Sequence, residues 1–211
     1  MALTKIRGKG LGTLGDGTAS DNSIIFDGNA QDFHIGLDDS ADSLTIGLGS
    51  ALGTTSHMVI DANGHVTKPL QPAFQAVPSS DIQNLNVSGA SNTTLVFGTE
   101  RFDTNGDYNN SSGIFTAPVT GKYQLQFSIR LQTLDTDVTS YDFGIRTSNK
   151  NYNTRFDPDY GDSDTAFLTI TFSILADMDA SDTALLDYYQ FGGTSQTDVD
   201  AQSYFSGYLV C

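Results

Sequence analysis

The segment GKYQLQFSIR, residues 121–130, alternates polar and apolar side chains almost without a break. A period of two sends successive side chains to opposite faces, so Tyr123, Leu125, Phe127 and Ile129 share one face while Gln124, Gln126, Ser128 and Arg130 share the other. This predicts a strand with one face in a core and one in water. Pro118 and Gly121 set a turn just ahead of it, so GIFTAPV and KYQLQFSIRL read as two strands rather than one. The same alternation marks TLVFGTERF, YDFGIRT, AFLTITFSIL, ALLDYYQF and SYFSGYLV, with no helical period. Seven such strands predict an all-β jelly roll or β-sandwich over residues 72 to 211.

The earlier part of the chain has a different texture. Its apolar pieces, SIIF, DFHIGL, SLTIGLG and HMVI, are short and punctuated by Gly, Asp and Asn. Asp16-Gly17, Asp27-Gly28 and Asn63-Gly64 are turn dipeptides, and VIDANGHVT is the clearest hairpin signal in the chain. Two I-G-L cores, in FHIGLDDSADS and LTIGLGSALGT, stand eleven residues apart. No piece is long or apolar enough to bury itself, which leaves two expectations open: a shaft or collar completed by three chains winding together, or a small β appendage. Pro69 and Pro72 in KPLQP bracket a linker that cannot be helical. The expected organisation is therefore an arm over 1–20, a β-rich shaft or collar segment over 21–68, a proline linker over 69–72 and a head over 73–211.

Composition narrows the function classes. The formal charge is −15, and of the 25 acidic residues only Glu100 is Glu. Asp favours turns and caps where Glu favours helix, which suits an all-β fold with many loops. So acidic a chain is a poor partner for nucleic acid or an anionic membrane, and it has no apolar run long enough for membrane insertion. The start, MALTKIRGKGLG, is basic at Lys5, Arg7 and Lys9 and lacks the apolar stretch of a secretion signal. Cys211 is the sole cysteine, so stability must come from packing or assembly. There is no Gly-x-Ser-x-Gly elbow or P-loop, and His34, His57 and His65 lack zinc spacing and are expected as solvent or turn residues. An enzyme is not expected.

From Phe97 the chain places five residues before Asp103, four before Tyr108, six before Phe115 and five before Gly121, followed by Tyr123, Leu125 and Phe127 on alternate positions. This spacing resembles the signature of C1q-like globular heads, with Leu125 where the family has an aromatic. SYFSGYLV, with Phe205, resembles the family's closing strand, and PAFQAV, with Phe74, its opening one. The resemblance implies a C1q/TNF-like jelly roll that forms a homotrimer, with these residues in its core or trimer contacts. It also implies calcium near the apex of the trimer, for which Asp157, Asp159, Asp162 and Asp164 of DPDYGDSD are the nominees; ADMDASD is a second Asp-dense loop. Tyr152, Tyr160, Tyr188 and Tyr189, set among Asp and Asn, are candidates for stacking on a sugar ligand.

The phrase SIIFDGNAQDFHIGLDDSADSLTIGLG is similar to segments of tailed-phage and marine-virus fibre proteins. This second resemblance implies a protein of the virion, a fibre or tail tip whose head contacts a host-surface glycan or protein. Lys5, Arg7 and Lys9 would then attach it to a tail or capsid protein. The alternatives are a structural head fibre or capsid decoration and, opposed by the missing secretion signal, a secreted C1q-like ligand.

Overall fold

The computed structural model describes residues 14–85, 92–158 and 165–211. The chain divides into two compact units between Gln71 and Pro72.

In the first unit β1 (Asn22–Phe26), β2 (Phe33–Asp38), β3 (Ser43–Leu48), β4 (Ser56–Ile60) and β5 (Val66–Thr67) form one antiparallel sheet in chain order. The hairpin expected at VIDANGHVT joins β4 to β5. Asp61 ties it by accepting from the backbone N–H of Asn63 and His65, and Gly64 takes the positive φ of 84° that the turn needs. Cross-strand pairing aligns Ile24, Ile35, Ile46 and Met58 in one row, Phe26, Phe33 and Leu48 in a second, and Leu37, Leu44, Ile60 and Val66 in a third, all on one face.

The face this sheet buries is the other one, which carries His34, Gly36, Asp38, Ser43, Thr45 and Gly47. Residues 49–55 fold back over it: the His34 Nδ1–H donates to the Gly49 carbonyl at 2.9 Å, and a Cβ on Gly47 would stand 2.2 Å from the Thr55 carbonyl oxygen. The two I-G-L cores thus face each other in register, apolar residues outward and glycines under the covering segment. His34 is 1 % exposed, which corrects the expectation of a solvent or turn histidine. Its place in the strict alternation of β2 put it on the covered side.

In the second unit two sheets pack face to face. One contains β7 (Thr93–Thr94), β9 (Tyr108–Asn109), β10 (Ile114–Thr116), β12 (Val138–Thr147), β13 (Asn151–Phe156) and β15 (Thr183–Gly192), in the order β13-β12-β15-β10-β9 with β7 also paired to β15. The other contains β6 (Ala73–Val77), β8 (Thr99–Asp103), β11 (Gly121–Leu134), β14 (Thr165–Met178), β16 (Asp198–Val199) and β17 (Tyr204–Leu209), in the order β14-β11-β17-β6-β8 with β16 on β11. TLVFGTERF is not one strand but two, because the chain crosses between layers there: β7 pairs in the first sheet and β8 in the second.

Tyr123, Leu125, Phe127, Ile129 and Leu131 are buried along β11, as the alternation requires. Phe74 anchors a ring cluster with Phe115 at 4.8 Å, Phe205 at 5.0 Å and Tyr108 at 5.1 Å between centroids. The spacing from Phe97 to Tyr108 has a physical cause. The Asp103 carboxylate accepts from the N–H groups of Gly106, Asp107 and Tyr108, and the returning Tyr108 hydroxyl donates to the Phe97 carbonyl at 3.1 Å. Burial pushes the Tyr108 phenol up to about 12. Phe74, Phe97, Tyr108, Phe115, Gly121, Tyr123, Leu125, Phe127 and Phe205 all belong to the interior of this sandwich or its tight turns.

Candidate functional site

The outward face of β12, β13 and β15 is the most organised polar surface of the head. Pairing places Asp142 beside Arg155 and Tyr189, and Gly144 beside Asn153 and Asp187. Arg155 grips Asp142 with two nitrogens, its NH2 group standing 2.6 Å from Oδ2. The hydrogen bond and charge of Asp142 raise the Arg155 guanidinium pKa above its ordinary value. Next to it Asp187 accepts from Asn92 at 2.7 Å and faces Arg146 at 3.4 Å. Burial raises the Asp187 carboxyl above its ordinary value, only partly countered by Asn92 and Arg146. Gly144 leaves the room this arrangement needs, since a Cβ there would stand 2.7 Å from the Tyr152 carbonyl oxygen and 3.1 Å from Asp187 Oδ1.

Two carboxylates and two guanidinium groups thus sit on a rigid sheet face, flanked by Tyr189 and by Phe191, whose rings lie 6.3 Å apart. Phe191 is 54 % exposed. Asp142 and Asp187 are themselves buried and engaged, so what this face presents to solvent is the two guanidinium groups beside an apolar ring, an arrangement able to hydrogen-bond a hydroxyl or carbonyl group. The sequence reading did not single out Asp142, Arg146, Arg155 or Asp187. The signal was available in the alternation of YDFGIRT and DYYQF, which puts Asp142, Gly144 and Arg146 on one face, and Asp187, Tyr189 and Phe191 on one face.

Of the tyrosines nominated for ligand stacking, Tyr189 lies on this surface; Tyr152 does not, because it pairs with the buried Ile145 and so takes the opposite face of the sheet, where Lys150 Nζ stands 5.0 Å from the centre of its ring. Tyr188 does not belong with them. Its ring is 1 % exposed and stacks on Phe143 at 6.0 Å, because its neighbour Tyr189 already takes the outward face. Tyr160 lies outside the described residues, as do Lys5, Arg7, Lys9, Asp159, Asp162 and Asp164.

Asp157, the described member of the nominated calcium set, is exposed, and among the described residues no group of three or more potential ligands gathers as a metal site. The second acidic loop is occupied with its own structure: Asp182 accepts from the Asn149 side chain at 2.6 Å and the Asp179 N–H at 2.8 Å. On the opposite sheet, Asp200 is held by Arg130 and Gln132. Among the described residues no helix is long and apolar enough to cross a membrane.

Two antiparallel sheets packed face to face over an aromatic core make the second unit a jelly-roll head. Residues 73–210 match the C1q domain, and the chain belongs to that family. Its domains are ligand-binding and structural rather than enzymatic. The chain is similar in structure to the globular domain of zebrafish complement 1qA protein, at 16 % identity and a TM-score of 0.48 over 67 % of this chain and 98 % of that one. It is also similar to murine APRIL, at 8 % identity and a TM-score of 0.47 over 66 % of this chain and 99 % of that one. Among the curated proteins none matches in sequence.

Proposed function

We propose that the protein is a trimeric attachment head of a virion fibre or tail tip that binds a host-surface glycan or protein. The observation that carries a binding role is the fixed Asp142–Arg155 and Asp187–Arg146 array beside Tyr189 and Phe191. Aromatic rings and arginine dominate recognition surfaces because they combine large contact area with little conformational freedom to lose. Assembly has support of its own. C1q domains typically form trimers, and the edge strand β14 leaves Leu168, Ile170, Phe172 and Ile174 only partly buried against the core, a row a neighbouring head would cover. The viral placement rests on the fibre-like text of the first unit, with Lys5, Arg7 and Lys9 as its contact to the particle.

A secreted C1q-like ligand is the second reading, and membership of the C1q family favours it equally. The test is binding of the labelled full-length protein to candidate host cells, with Tyr189→Ala/Phe191→Ala as the comparison. The attachment reading expects saturable binding that falls tenfold or more in the variant, together with blocked infection. Heads that ignore cells while the full-length protein coats capsids would replace it with structural decoration.

A further inference from the structure

Among the described residues, the apolar face of the first unit's sheet lies open to water. Phe26 is 59 % exposed, Val66 54 % and Ile24 50 %, and Phe33, Leu37, Leu44 and Ile46 are exposed with them. The three rows that make up this face contain no charged side chain; the ionisable group beside them is His57, its ring tilted against Phe33 at 6.1 Å. Single exposed leucines are ordinary, but a contiguous face is not. These seven side chains leave on the order of 500–600 Å² in water, the upper end for the largest patch on a monomer and not far below the ~800 Å² each partner gives to a standard interface. The layering is also reversed for a free-standing sheet. Residues 49–55 cover the polar, glycine-lined side, and the apolar side is the one left exposed among the described residues.

We propose that this face is covered by the same face of sister copies, three sheets turning their rows inward around a threefold axis to make the core that one sheet lacks. The occupant is argued from connectivity, and in this the inference rests on the trimeric head. Only residues 68–72 separate β5 from β6, a span of at most about 18 Å when fully extended. Three associated heads therefore hold three such faces at an effective concentration in the millimolar range, where even a modest contact is occupied. A flat, uncharged face of aliphatic and phenyl groups offers no directional group to select a foreign partner, and it is matched in kind by its own copy. Three copies meeting around an axis close the assembly and leave no apolar face over.

The test uses the full chain with Cys211→Ser and one introduced thiol. In Ile46→Cys, and in Leu44→Cys as a second position on the same face, a short bis-maleimide should yield covalent dimers on a denaturing gel, and a bulky maleimide should react at least tenfold more slowly than in the unfolded chain. Ala51→Cys, on the covering segment, should stay monomeric on the gel and react freely. Sedimentation of the same samples separates assembly of the heads from closure of the sheet faces. A trimer whose thiols at 44 and 46 are open and unlinked overturns this inference, leaves the trimeric head standing and assigns the face to a different protein. A monomer at micromolar concentration overturns both.

Discussion

In the head, the apolar side of β11 faces a second sheet of the same unit, whereas in the first unit the apolar rows of β2 and β3 stand exposed among the described residues. Both regions alternate apolar and polar positions along their strands, and both satisfy their backbone in antiparallel ladders. The difference is that the head has two sheets to close on each other and the first unit has one. A single sheet can bury one face only under a loop, and here the loop takes the glycine-lined polar side. Alternation alone therefore specifies a strand and its faces, while the number of strands decides whether the apolar face is a core or an interface.

The largest effect expected from breaking this contrast is in the ring cluster. Phe115→Ala removes a side chain 1 % exposed, 4.8 Å from Phe74 and 5.5 Å from Tyr123, and should cost the head about 3–5 kcal/mol in urea denaturation. Phe26→Ala, on the open face, should leave the head's transition where it is. Equal shifts from the two would show that the units unfold as one. Next comes Gly47→Ala, whose added Cβ would meet the Thr55 carbonyl oxygen and the His34 ring. It should cost the first unit about 3 kcal/mol, seen as faster hydrogen exchange in β2 to β4 with β11 unchanged.

Much of this was legible in the sequence. The period-two runs placed nearly all the long strands and their buried residues, and the spacing from Phe97 through Phe115 pointed to the head's family, because each step serves a local need such as the turn tied by Asp103. TLVFGTERF misled because a continuous apolar run does not show that the chain changes sheets within it. Tyr188 and Tyr189 misled together, since two adjacent residues in a strand can never share a face. The Asp142 and Asp187 array escaped notice because its members are 45 residues apart and meet only through the β12–β15 register. The composition of the first unit showed that its pieces were too weak to stand alone, but which side the covering segment chose depends on Gly36 and Gly47 facing the same way.

Titration offers a finer comparison, since the two regions hold carboxylates in similar hands at different depth. Burial pushes Asp200 up, but the hydrogen bond from Arg130, with Gln202 N–H, the charge of Arg130 and Gln132, outweighs it and holds the carboxyl below its usual range. Asp61 is lowered by His65, first through the side chain and then the backbone N–H, at an exposed turn. A depressed carboxylate contributes stability that is present above its unfolded value near 3.9 and is lost as pH falls through the folded one. Asp200→Asn should therefore lower head stability by about 2 kcal/mol at pH 7, a difference that closes as pH drops below the carboxylate range. Asp61→Asn should shift the first unit far less, because water screens the pair. Asp187 runs the other way: burial raises it, so its contribution falls as pH rises from the unfolded value through the folded one, and Asp187→Asn should flatten that part of the curve. Matching pH profiles for Asp187→Asn and Asp200→Asn would contradict these assignments.

The smallest expected effect concerns calcium, and it separates the head's charge from that of the first unit. Residues 135–200 carry 13 Asp against Arg146, Lys150 and Arg155, a balance of 13 − 3, or −10. The structure already engages part of this excess: Asp142 with Arg155, Asp187 with Arg146, Asp200 with Arg130 and Asp177 with Lys122. In the 157–164 loop the described carboxylate is the exposed Asp157. An ion bound only by the native state stabilises it by mass action, about 1.4 kcal/mol at ten times the dissociation constant. For a head of this size that is a shift of roughly 3–5 °C in Tm. Millimolar calcium should therefore raise the head's transition by a few degrees, chelator should reverse it, and Asp157→Asn with Asp159→Asn should abolish it, while the first unit's transition stays fixed. Identical melting curves in calcium and in chelator would rule out this loop as a cation site.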